Sequence, residues 1–161
     1  MNVRDALFNA AAAALYAALT LAFAPLSYGP VQARLSECMT LLAFYNRKWV
    51  PGLTVGCFLA NLASPFGAAD VCFGTAATFL AVWGMGRCPN VWAASLCPAL
   101  ANGVLIGAEL LYLAEIPRTL AAFLPAALYI AAGEALSVTV FGTALFRLLL
   151  RNETLRRYFL Q

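Results

Sequence analysis

Histidine is absent from the 161 residues, which removes imidazole-based acid–base chemistry and the common imidazole metal sites. Charge is scarce: charged residues make up 11% of the chain against 63% hydrophobic ones, where a soluble domain carries about 25% charged residues. A surface that poor in charge cannot be kept in water, and no domain-sized stretch is polar enough to stand apart as a soluble unit. No G-x-x-x-x-G-K-[ST] occurs, so the chain has no phosphate-cradling loop for ATP. The five cysteines (Cys38, Cys57, Cys72, Cys88 and Cys97) never form C-x-x-C. They lie in or beside apolar runs, where cysteine serves as a small packing residue rather than a redox or metal ligand. The net charge of +3 does not point to nucleic acid, because the basic residues follow membrane topology.

A bilayer-spanning helix needs about 20 apolar residues, so the chain has room for about six with short loops. The expectation is one all-α integral membrane domain over residues 1–161, with spans near 5–24, 34–45, 48–63, 69–87, 91–113 and 119–150. The first run, Leu7 to Ala24, could pass for a signal peptide ending Ala22-Phe23-Ala24, but Pro25 directly after it favours a retained helix. Pro25 to Ala33, Ser64 to Gly67, Arg87 to Asn90 and Glu115 to Arg118 read as loops.

Six spans place both termini on one side. With that side in the cytoplasm of a bacterial cell, Arg4, Arg47, Lys48, Arg87, Arg147, Arg151, Arg156 and Arg157 lie inside, and only Arg34 and Arg118 lie outside. This asymmetry satisfies the positive-inside rule, and Trp49, Trp83 and Trp92 fall at inner helix ends, as interfacial anchors do.

The polar residues within the spans are the candidate binding groups. Arg34 and Glu37 open the second span, Asn61 ends the third, Asp70 opens the fourth, Asn102, Glu109 and Tyr112 lie on the fifth, and Glu134 is the deepest acid of the sixth. Such groups are costly in hydrocarbon and face a cavity or a partner. Plainer roles exist for several. Glu37 could pair with Arg34 three residues away, Asp70 could complement a helix N-terminus, and Asn61 and Asn102 could be interhelical hydrogen-bonding groups. Glu109, near a helix C-terminus, gains nothing from the dipole. A pocket of carboxylates and amides suits a ligand rich in donors or carrying positive charge, such as one with the N1–H and 2-amino edge of a guanine. Tyr28, Phe66, Phe73, Tyr112 and Tyr129 are candidates for stacking on a flat ring. On the first span, Ala10, Ala14, Ala18 and Ala22 form a small-xxx-small stripe, suited either to internal packing or to docking another membrane subunit.

Several blocks resemble the QueT family of queuosine-precursor transporters. They are Ala17 to Thr20, Ser27 to Glu37, Pro51 to Cys57, Ala60 to Asp70, Asn102-Gly103, Gly107 to Leu110 and Ala132 to Glu134. The resemblance implies a six-helix S component of an energy-coupling factor importer. Such a subunit binds substrate from outside and docks on a transmembrane scaffold with two ATPases, which hydrolyse the ATP. It then carries its pocket across by toppling. The implied ligand is a 7-deazaguanine such as pre-queuosine base or queuine, and the alanine stripe becomes a candidate docking face. The competing expectation is a stand-alone proton- or ion-coupled transporter with Glu134 as its titrating group. An intramembrane enzyme has little support, since no nucleophile-and-base arrangement is recognisable.

Overall fold

The computed structural model describes residues 2–28 and 34–160, and these form helices and their connecting turns. We label them α1 (Val3–Ala22), α2 (Leu35–Tyr45), α3 (Val50–Asn61), α4 (Ala68–Met85), α5 (Val91–Tyr112), α6 (Leu120–Leu149) and α7 (Glu153–Leu160). Short polar side chains start several of them by accepting an otherwise unpaired backbone N–H. Asn2 accepts from Asp5, Asn90 from Ala93 and Thr119 from Ala122. The α4 turn is entered at Gly67, whose φ of 62° lies where glycine alone is unstrained.

Four helices, α1, α4, α5 and α6, are long and apolar enough to cross a membrane. The expectation of six spans is met only to that extent. The first six residues of α2 wind as a 3-10 helix, and α3 has 12 residues, well short of about 20. Pro25 to Ser27, expected as loop, continue as a helical turn, Ala24–Ser27, with the proline near its start where no N–H is needed. The rest of that expected loop, 29–33, lies outside the described residues.

The packing follows chain order. Helix α1 lies on α3, α3 on α4, α4 on α5 and α5 on α6, while α2 sits between α1 and the middle of α6. Without a hydrophobic drive between helices in lipid, close approach depends on small residues. A Cβ at Gly56 would come within 2.8 Å of the Tyr16 side chain, and one at Gly103 within 2.9 Å of the Ala127 carbonyl oxygen. These contacts bring α1 to α3 and α5 to α6. Helix α6 carries one irregularity: directly after Glu134, residues Ala135–Gly142 widen into a π-helix before α-geometry resumes.

The end of the bundle that carries both termini holds the apolar core, with Leu41, Leu42, Leu53, Val82, Met85 and Phe146 buried together. Helix α7 folds back over it. Tyr158 lies 5.6 Å from the Phe8 ring, Phe159 lies 5.8 Å from Phe146, and Trp49 Nε1 donates to the Phe159 carbonyl at 3.4 Å. Trp49 is therefore not the interfacial anchor expected of it. It is 6% exposed beneath α7, whereas Trp83 and Trp92 are about half exposed.

Candidate functional site

The other end of the bundle holds the buried charge. Arg34, Glu37, Asn61, Asp70, Asn102, Glu109 and Glu134 are all buried, although they come from five helices and the entry to α2. Arg34 precedes α2 and reaches across to α4. Its Nη2 donates to both Asp70 oxygens, at 3.2 and 3.3 Å, its Nη1 to Asn61 Oδ1 at 3.2 Å, and its Nε to the Ser27 carbonyl at 3.4 Å. Asn61 Nδ2 in turn donates to the Asp70 carbonyl at 3.0 Å. A planar guanidinium with several fixed donors suits such a brace, because one side chain ties α2, α3 and α4 together. The Tyr28 ring covers the guanidinium at 5.7 Å, and its hydroxyl donates to the Ala60 carbonyl at 2.6 Å.

The plainer role considered for Glu37, a pair with Arg34, does not form. Arg34 is extended and precedes the 3-10 turn that holds Glu37, and Glu37 Oε1 accepts instead from Tyr16 Oη and, at 3.0 Å, from Thr78 Oγ1. A second bond, between Thr20 Oγ1 and Ser36 Oγ at 2.7 Å, joins the same face of α1 to α2. Tyr16 and Thr78 were not singled out in the sequence, where one reads as a helix aromatic and the other as a small core residue. Only their burial against a carboxylate reveals their role. Cys57, taken from sequence as simple packing, also borders this polar cluster. Its sulfur lies 3.2 Å from Thr78 Oγ1 and accepts from Asn61 Nδ2 at 3.4 Å.

The remaining groups are buried without such bracing. Among the described residues, neither oxygen of Glu109 has a hydrogen-bond partner, nor do Glu37 Oε2, Glu134 Oε2 and Asn102 Nδ2. Buried polar groups in folded proteins are nearly always paired, so a cluster of unpaired ones calls for an explanation. The electrostatics are equally uneven. Arg34 attracts Glu37, Glu109 and Glu134 through space, and Glu37 and Glu134 repel each other. Once Asp70 is paired, three carboxyl groups have no cation of their own. Glu134 also sits where α6 changes from α- to π-geometry. Such bulges occur often at functional positions, because they re-aim side chains.

Other expected residues do not converge here. Tyr112 is 67% exposed and packs its ring 6.0 Å from Phe73. Together with Phe123 and Arg118 it lines an apolar surface cavity of about 550 Å³ between α5 and α6. Tyr129 is exposed too. The alanine stripe is settled in one respect: Ala10, Ala14 and Ala18 are exposed, while Ala12, Ala13 and Tyr16 face the core. The stripe is therefore not an internal packing seam.

The family model described as QueT transporter matches residues 6–151. A protein of Lactococcus lactis subsp. cremoris (strain MG1363), named Queuosine precursor transporter QueT, is 38% identical over 78 residues. That match covers 47% of this chain and 46% of the relative, so the chain spans about half the length of the curated relative it matches. No solved structure matches.

Proposed function

The chain belongs to the QueT transporter family, and on that premise we propose that it is the substrate-binding S component of an energy-coupling factor importer for a queuosine precursor. In this reading α2 and α3 complete a six-helix bundle with the four long helices, and both termini lie in the cytoplasm. The ligand is a 7-deazaguanine, such as pre-queuosine base or queuine, taken from outside.

The observation that carries the reading is the buried set of unpaired acceptors, Glu37 Oε2, both Glu109 oxygens and Glu134 Oε2, with the unpaired amide donor Asn102 Nδ2. Burying carboxylates without partners costs several kcal/mol each. A ligand that brings donors and positive charge offsets that cost. A guanine-like edge presents two parallel N–H groups, which a carboxylate accepts as a pair. An aminomethyl cation, where the ligand has one, neutralises a second carboxylate. Arg34, Asn61 and Asp70 are already bonded to one another, so their role is to hold the wall of the pocket. Reading the ligand falls to Glu37, Glu109, Glu134 and Asn102.

The exposed face of Ala10, Ala14 and Ala18 is the docking surface for a transmembrane scaffold carrying two ATPases. Small side chains let a partner helix approach closely in lipid. ATP is then used by those partners, and toppling of the whole subunit carries the pocket inward.

A thermal-shift panel of deazaguanines and guanine on the purified chain tests the ligand class. Stabilisation by deazaguanines is expected, and a flat response across the panel refutes it. The second reading, a stand-alone proton-coupled transporter, draws on the neighbouring buried carboxyls Glu37 and Glu134. It predicts gradient-driven uptake in vesicles containing this chain alone. The S-component reading predicts no sustained uptake until scaffold and ATPases are added.

A further inference from the structure

At the end of the bundle opposite the buried carboxylates, two neighbouring cavities share Pro51 as a lining residue. One, of about 280 Å³, is lined by Arg47, Val50, Pro51, Trp83 and Arg87. The other, of about 210 Å³, runs between α1 and α3 and is lined by Asn9, Ala10, Ala13, Pro51, Gly52 and Val55. Their characters differ. The first carries two guanidinium groups and, among its lining residues, no carboxylate. The nearby Asp5 is engaged with Lys48 at 3.4 Å. The second is almost wholly apolar.

The two arginines are positioned rather than free. Arg87 lies over the Trp83 ring, with its guanidinium carbon 3.5 Å from the ring centroid, and donates to the Trp83 carbonyl at 2.7 Å. Arg47 donates from Nε to the Gly86 carbonyl at 3.2 Å. Its side chain lies so close that a Cβ at residue 86 would meet it at 2.6 Å. Each guanidinium has five N–H donors, so these bonds leave others available. Trp83 is half exposed at the helix end, at the depth where tryptophan marks a membrane–water interface. From there the apolar cavity extends past Pro51 and Gly52 toward Ala13 and Val55, that is, from the membrane surface toward its middle.

We propose that these two adjoining cavities bind one anionic glycerophospholipid, with its phosphate between Arg47 and Arg87 and an acyl chain lying in the apolar cleft along α1 and α3. Charge complementarity and depth support this occupant together. A phosphate diester matches two fixed guanidinium forks with no competing carboxylate, and only a ligand with a hydrocarbon tail uses the adjoining apolar cleft. The site is distinct from the proposed substrate pocket and does not depend on that reading.

Native mass spectrometry of the full, delipidated chain in detergent tests it, with phosphatidylglycerol and phosphatidylcholine of matched chains as probes. One phosphatidylglycerol is expected to be retained in preference to phosphatidylcholine. Arg47→Gln with Arg87→Gln should weaken its binding by about 10- to 30-fold, and Arg47→Lys with Arg87→Lys should restore most of it. Val55→Trp, which fills the apolar cleft and keeps both arginines, should weaken it as well. Arg151→Gln, a basic residue outside both cavities, should change nothing. A large excess of glycerol 3-phosphate should fail to displace the lipid. Equal retention of the two lipids, or undiminished phosphatidylglycerol binding by the double glutamine variant, overturns the proposal. So does an inert Val55→Trp, or displacement by glycerol 3-phosphate, which would mark a site for small anions instead.

Discussion

The two ends of this helical bundle are buried to a similar degree by opposite means. The apolar end is filled with Leu41, Leu53, Met85 and Phe146, groups that need nothing but contact. The polar end, the outer one in the proposed orientation, is filled with an arginine, four carboxyl groups and two asparagines, and only some of these are satisfied. Within that outer cluster the division repeats. Asp70 and Asn61 are tied to Arg34, whereas Glu109 and parts of Glu37, Glu134 and Asn102 have no partner among the described residues. An interior that only had to be stable would follow the first pattern throughout. The unpaired acceptors are what the proposed ligand would complete.

The comparison breaks most severely at Arg34. Arg34→Leu leaves Asp70 and its neighbours with no cation, and removing one partner of a buried pair costs about 3–5 kcal/mol. Thermal unfolding in detergent should show a midpoint drop of about 10 °C or loss of folded protein. Glu109→Gln and Glu134→Gln should do the reverse. Each removes an unpaired buried charge, so stability should hold or rise, while deazaguanine affinity falls by about 10- to 100-fold in a calorimetric titration. Unchanged affinity in both variants would remove the site assignment.

At the α5–α6 contact, Gly103→Val forces a side chain into the Ala127 backbone. It should cost about 1–3 kcal/mol, read as a lower unfolding midpoint. At the apolar end, Trp49→Phe keeps an aromatic ring but loses the indole N–H bond to Phe159. A loss of about 0.5–1.5 kcal/mol in stability is expected, with ligand affinity unaltered. The smallest effect belongs to Tyr112→Ala. Its side chain is exposed, so stability should change by no more than about 0.5 kcal/mol and affinity should be unaffected. A marked loss of affinity would return Tyr112 to the binding set.

Much of the architecture was legible beforehand because hydropathy is a local property. The helix boundaries fall close to the expected spans, and Ser64 to Gly67, Arg87 to Asn90 and Glu115 to Arg118 separate them as expected. Position along a helix does not fix direction around it. Trp49 has the placement of an interfacial anchor but points under α7. Tyr112 lies one turn from Glu109 yet faces outward. Glu37 is left without Arg34 because Arg34 is the extended residue that precedes the 3-10 turn, and its side chain goes to Asp70.

Composition alone determined that this chain lives in a bilayer, since too little charge is present to cover a soluble surface. It also named the acids worth watching, because each is an exception in hydrocarbon. Which of those acids are satisfied was decided only by the tertiary structure. Arg34 reaches Asp70 across 36 residues of chain, and Tyr16 reaches Glu37 across 21. Hydrogen bonds act over about 3 Å, so their partners are set by which helix faces meet, and sequence order carries no record of that.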